Sequence, residues 1–271
     1  MTTTDTAPEP ASPAPAVSPD ATLAGIEISV RFGGVSAVDH VSIEAHAGKV
    51  LGLIGPNGAG KTTLFDALSG VRPPTEGRVI YEGVDITKRS PTWRSRHGIR
   101  RTFQRQQMFG WLTVEENVLV ALEWRGGGGG LIADLVALPT RKHREKARRA
   151  ESDEVLELCG LVELRNEPAG KLPIGRARMV EMARALVDKP KVLLLDEPTS
   201  GLEVSDTVVL GEAMTRAARE SNCAVVLVEH DVGFVMEHCD QILALNLGSV
   251  LAFGTPEEIR ANRAVQDAYL G

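Results

Sequence analysis

The chain becomes patterned only after residue 22. From Ile26, "IEISVRF" alternates apolar and polar positions; "VSIEA" (41–45) and, after Gly77, "RVIYEGVDI" (78–86) follow. Short runs of this kind, separated by Gly and Pro turns, predict antiparallel strands around a core. Three other runs are continuously apolar: "KVLGLIG" (49–55), "KVLLLDE" (191–197) and "AVVLVEH" (224–230). Such runs predict parallel strands covered on both faces, and their alternation with helical stretches predicts an α/β sheet. Between about Arg105 and Pro190 the text is mostly helical. It contains "TVEENVLVALEW", the basic run "RKHREKARRAESDEVLELCG", and a helix entered through "LPIGR", whose Met179, Met182, Ala183 and Leu186 recur at helical spacing. Gly126 to Gly130 predict a flexible break. Near the end, Thr255 and Glu258 form a capping-box pattern, with Pro256 at the first helical position.

Composition changes this picture little. The 271 residues suffice for one large domain or two small ones, with 43% hydrophobic and 24% charged residues. Residues 1–22, nearly all Thr, Ala, Pro, Ser and acidic residues, predict a disordered tail without a secretory signal. A net charge of −6 argues against a nucleic-acid partner. The cysteines (Cys159, Cys223, Cys239) are odd in number and lack C-x-x-C spacing, as expected of apolar fillers in a reducing cytosol. No apolar run reaches the ~18 residues of a membrane span, so a soluble chain is expected, with any membrane work done through partners.

The chemistry concentrates at the ends of the apolar strands. "GPNGAGKTT" (Gly55, Pro56, Asn57, Gly58, Ala59, Gly60, Lys61, Thr62, Thr63) follows a strand and opens a helix, the context that G-x-x-x-x-G-K-[ST] requires. The glycines let backbone N–H groups wrap phosphates, Lys61 reaches the β/γ oxygens, and Thr62 offers its hydroxyl to Mg²⁺. Asp196 and Glu197 close the second strand, the first placed to hold Mg²⁺ and the second to orient or polarise a water. His230 closes the third, where parallel strand ends converge on a ligand crevice.

Taken together, these motifs resemble the nucleotide-binding subunit of an ABC transporter, over essentially all of Leu23 to Gly271. The resemblance implies an α/β P-loop NTPase of the RecA-like kind: a parallel-sheet core with an antiparallel β subdomain and a helical subdomain. Residues 23–104 would hold the β subdomain and the P-loop part of the core, 105–190 the helical subdomain, and 191–271 the rest of the core. It also implies ATP and Mg²⁺ as cofactors, Phe32 as the adenine-stacking aromatic, Gln104 of "RTFQ" as the Q-loop metal ligand beside Thr62 and Asp196, "SGLE" as the D-loop, and His230 as the switch histidine. Glu203 stands where the D-loop usually has aspartate.

"LPIGR" falls where this family carries LSGGQ, the element that completes a partner subunit's ATP site in a head-to-tail dimer. Leu172 and Gly175 match; Pro173, Ile174 and Arg176 do not. Losing the serine hydroxyl removes a charge-assisted hydrogen bond worth about 1.5–3 kcal/mol, while the helix entrance and the Arg176 cation remain. A weakened signature is expected, in a heterodimer whose second, different ATPase subunit completes this chain's ATP site with a regular signature.

Within the family, "GIRRTFQ", "LTVEENVLVAL", "LVEHDVGFVMEHCDQI" and the closing "GTPEEI…AYLG" look most like the ATPase subunits of branched-chain amino-acid uptake systems. That implies two membrane permease subunits, indirect dependence on an extracytoplasmic substrate-binding protein, no nucleic acid, and a place on the cytoplasmic face of the cell membrane. A lipopolysaccharide-exporter ATPase, a soluble ABC ATPase and a non-hydrolysing regulator are the alternatives. Met108, Phe109 and Trp111 are either helical-subdomain core or a docking groove for a permease helix. The basic run Arg141–Arg149 reads as a solvated helix face rather than a lipid-binding one.

Overall fold

The computed structural model describes residue 18 and residues 20–102, 108–123 and 138–270. Most of the tail, Gln104 and the Gly126–Gly130 run lie outside them. The alternating runs form an antiparallel sheet: β1 (Leu23–Phe32), β2 (Val35–Ala45), β4 (Glu76–Tyr81) and β5 (Val84–Asp85), in the order β2-β1-β4-β5. The continuous runs form the second sheet's centre: β3 (Val50–Ile54), β7 (Val192–Asp196) and β8 (Ala224–Val228). With β6 (Ile99–Arg101), β9 (Gln241–Asn246) and β10 (Ser249–Gly254), the order is β10-β9-β3-β8-β7-β6, parallel except for the β9–β10 hairpin.

Strand pleat divides the core in two, because successive side chains point to opposite faces. Val192, Leu194, Val226 and Val228 join Phe65, Leu64, Ile28 and Val38 on the side of the antiparallel sheet. Leu193, Leu195, Val225 and Leu227 join Met179, Val180, Ala183, Leu210 and Met214 on the other. Parallel strands buried on both faces must be apolar throughout, as these are.

The helices among the described residues are α1 (Lys61–Ser69), α2 (Pro91–Arg96), α3 (Val114–Val120), α4 (Leu138–Leu158), α5 (Ile174–Leu186), α6 (Val204–Ser221), α7 (Val232–His238), α8 (Pro256–Ala261) and α9 (Arg263–Leu270). The predicted capping box at Thr255 is present, and a second one, Thr113 with Glu116, starts α3. Arg148 and Arg149 of α4 pair with Glu123 and Glu145, as a solvated face would. All three cysteines are buried thiols, each pushed by burial up to about 12. No described helix is long and apolar enough to cross a membrane.

Arg94 is a buried charge that no sequence pattern announced. Its guanidinium donates to Arg89 O, Ala67 O, Leu68 O, Ile86 O and Thr87 O at 2.6–3.2 Å. Two of those carbonyls lie in the last turn of α1, where the helix dipole favours a cation. Burial pushes the guanidinium down to about 10.

Candidate functional site

Register brings the chemistry to one sheet edge. Val228 pairs with Leu53 on one side and Asp196 on the other, so the glycine loop, Glu197 and His230 all emerge from the C-terminal ends of neighbouring parallel strands. This is the crevice that open α/β sheets use for ligands.

The loop Gly55–Gly60 turns into α1 with Gly60 at the helix entrance in the left-handed region (φ 99°), and no side chain caps that entrance. A Cβ on Gly60 would stand 2.3 Å from Ala37 O, so this position admits only glycine. The uncapped N–H groups of a helix entrance form an anion site. Lys61 donates to Gly55 O at 2.6 Å and to Pro56 O at 3.1 Å; burial pushes its ammonium below the usual lysine range, against the pull of Glu197 and Asp196. Asn57, Gly58 and Thr62 are exposed around the loop, with Ala59 buried beneath it and Thr63 half-buried.

Asp196 is buried at the end of β7. Arg101 of β6, which the sequence reading passed over, donates to its Oδ2 at 2.8 Å, and reaches Asp66 and Ser69 of α1 at 2.6 and 2.9 Å. Burial pushes the Asp196 carboxyl up, opposed by the Arg101 hydrogen bond and charge. Its Oδ1 has no hydrogen-bond partner among the described residues. A buried carboxylate oxygen left unpaired is costly; a divalent cation seated there would answer it, so the donor set fits Mg²⁺.

Glu197 follows at φ 48°, a left-handed conformation that an ordinary side chain adopts at a cost of about 1–3 kcal/mol. Its amide donates to Val228 O at 2.8 Å, and its Oε1 lies 2.9 Å from His230 Nε2. A carboxylate and an imidazole in contact at the strand ends can hold a water and take its proton. Phe32, at the end of β1, is 44% exposed, with the Arg72 guanidinium 4.5 Å from its ring centre.

The signature segment lies apart. Among the described residues no hydrogen bond or ion pair joins Leu172–Arg176 to the glycine loop, and α5 starts at Ile174 behind Pro173 without a side-chain cap. Its neighbours are the chain after Glu197. Ile174 Cγ2 approaches Gly201, and the Asp206 carboxylate packs on Gly175 so closely that a Cβ there would fall 1.7 Å from Oδ2. Arg176 Nε stands 3.8 Å from Asp206 Oδ1, so the extra cation is partly answered within its own chain. Gly175→Ala is expected to force α5 and α6 apart and to cost about 1–3 kcal/mol in urea unfolding, with partial recovery in Gly175→Ala/Asp206→Ala. Loss below about 0.5 kcal/mol would mean that the contact yields freely. Met108 and Phe109 are half-buried, and Arg184 lies 5.2 Å from the Phe109 ring centre, whereas Trp111 is exposed.

The chain is similar to known proteins along most of its length. Residues 38–200 match the ABC transporter family, and residues 249–271 match the family described as branched-chain amino acid ATP-binding cassette transporter. The chain is 38% identical over 244 residues to the high-affinity branched-chain amino acid transport ATP-binding protein BraF of Pseudomonas aeruginosa, covering 90% of this chain and 95% of that protein. Identity and coverage are the same for LivG of Escherichia coli K12, which carries the same description. Among solved structures it is similar to the ADP conformation of MJ1267, an ATP-binding cassette of an ABC transporter. There the TM-score is 0.78 at 28% identity, over 93% of this chain and 99% of that one. With an uncapped glycine loop, a buried strand-end aspartate and a Glu–His pair on one sheet edge, the chain belongs to the ABC transporter family, as one of its ATP-hydrolysing subunits.

Proposed function

We propose that the chain drives an importer of branched-chain or other amino acids, as a peripheral subunit on the cytoplasmic face of the cell membrane. Its partners are two membrane permease subunits and a second, different ATPase subunit, with an extracytoplasmic substrate-binding protein acting upstream. The carrying observation is the Glu197–His230 contact beside a buried Asp196 whose Oδ1 has no partner among the described residues. The amino-acid cargo is inferred from the transport named in the descriptions of BraF and LivG.

In this reading Gly55, Asn57, Gly58, Ala59 and Gly60 wrap the phosphates with backbone N–H groups, joined by Thr63, and Phe32 stacks on the adenine. Lys61 turns its ammonium from the loop carbonyls to the β/γ oxygens. Thr62, Asp196 and Gln104 would hold Mg²⁺, which when bound neutralises charge on the β- and γ-phosphates. Glu197 accepts the proton of the attacking water as its oxygen bonds to the γ-phosphorus and the bond to the ADP oxygen breaks. With its proton on Nε2, His230 donates to Glu197 Oε1 and holds that carboxylate in place.

The signature of this chain serves the opposite site of a head-to-tail pair. Ile174 (59% exposed), Val204 (84%) and Val208 (52%) form an apolar fringe around it, of the kind that marks an interface. Because Asp206 draws on Arg176, a partner with its own regular signature is favoured over a second copy. Light scattering on Glu197→Gln with ATP and Mg²⁺ tests this. The expected result is a monomer that binds ATP in the same sample. A stable dimer would show that "LPIGR" completes a site between identical chains, and a chain that does not bind ATP would remove the whole reading.

A further inference from the structure

Glu229 stands next to His230 in sequence, is 3% exposed, and has no role in the scheme above. It is a buried acid with no ion pair to a basic side chain among the described residues. Instead it accepts three hydrogen bonds: Oε1 takes the Thr199 amide at 2.7 Å and the Thr199 hydroxyl at 2.7 Å, and Oε2 takes the His230 amide at 3.0 Å. Thr199 lies two residues after Glu197, and His230 is the residue that Glu197 touches. One carboxylate therefore fastens both chain segments that carry the Glu197–His230 pair. The fastening matters because Glu197 sits in a left-handed backbone conformation. Such a conformation persists only where the surroundings over-determine it. Around Glu197 the chain is held by its amide on Val228 O, by the Ser200 amide on Glu197 O, and by the grip of Glu229 on Thr199.

We infer that Glu229 is a positioning residue for ATP hydrolysis: by binding Thr199 and the His230 amide with one buried carboxylate, it sets the separation and orientation of Glu197 and His230. It acts through the pair, by its contacts to Thr199 and the His230 amide. The inference rests on the hydrolytic role proposed for Glu197 and His230. Glu229→Gln keeps the shape but replaces one acceptor oxygen with an N–H donor, so one of the two segments loses its tether.

The test uses the full-length chain: phosphate release is measured with its partner ATPase subunit present, and binding of a fluorescent ATP analogue and the histidine ring signals in NMR on the chain alone, His230 being assigned by their loss in His230→Ala. Glu229→Gln is expected to lower kcat about ten-fold or more, with KM for ATP and analogue affinity within about two-fold. Thr199→Ala should lower kcat less, Thr199→Ser should restore it, and Thr199→Ala/Glu229→Gln should fall no further than Glu229→Gln alone, because both act in one network. The His230 signals should move in Glu229→Gln and Thr199→Ala but not in Thr199→Ser. Unmoved His230 signals would overturn the inference, as would kcat losses that multiply in the double variant or a loss confined to KM. If Glu229→Gln does not fold, the Thr199 pair decides alone. If the wild-type chain fails to bind the analogue, the hydrolytic reading fails; the His230 signals still report whether Glu229 holds the ring.

Discussion

Glu197→Gln is expected to reduce ATP turnover about 10²–10³-fold while leaving nucleotide affinity within about two-fold. The amide matches the carboxylate in shape, so the left-handed turn at Glu197 and its amide bond to Val228 O should survive. What it removes is the oxygen that takes the proton of the attacking water, and general-base assistance is worth about this factor. It also leaves His230 Nε2, now 2.9 Å from a carboxylate oxygen, facing a weaker neutral acceptor. Phosphate release and binding of a fluorescent ATP analogue, both measured on the chain assembled with its partner ATPase subunit, separate the two effects. Turnover within ten-fold of wild type would move the base elsewhere, and a matching fall in affinity would make Glu197 a nucleotide ligand instead. Asp196→Asn should behave differently, since its Oδ1, without a partner among the described residues, is suited to a cation: its defect should appear in the Mg²⁺ dependence of binding.

Arg94→Met should lower stability by about 2–4 kcal/mol, the range for stripping donors from several buried acceptors at once. Ala67 O and Ile86 O keep partners in the Gly70 and Arg89 amides; Leu68 O, Thr87 O and Arg89 O lose their guanidinium donors. Removing the charge also removes its own burial penalty, which keeps the loss from being larger. For a chain of this size the thermal midpoint should fall about 5–12 °C. Arg94→Lys should do nearly as badly, because a single ammonium cannot reproduce a planar fork directed at five carbonyls. Urea unfolding measures both variants. A loss under about 1 kcal/mol in both would mean that water replaces the fork, contrary to its full burial.

Much was legible in the text of the chain because it depends on local chemistry. An apolar run of four or five residues must be covered on both faces wherever it lies, so β3, β7 and β8 could be read as parallel core strands. A glycine loop between such a strand and a helix has one common use, and Asp196, Glu197 and His230 were legible as strand-end residues. The family resemblance rested on the same short segments.

The partners of those residues were not legible, because sequence distance hides them. Arg101 meets Asp196 across 95 positions, Arg94 closes α1 from 26 and 27 residues away, and Thr199 meets Glu229 across 30. An arginine or glutamate in a strand-end context reads as surface charge until the fold buries it. Arg176 shows the same limit: alone it reads as a free cation at a helix entrance, and the fold places Asp206 beside it. The sequence by itself therefore determined the strands, the glycine loop and the chemical type of the strand-end residues, through periodicity and residue type. Only the tertiary structure decided which charges answer which, since that depends on sheet register and on which side chains lose their water.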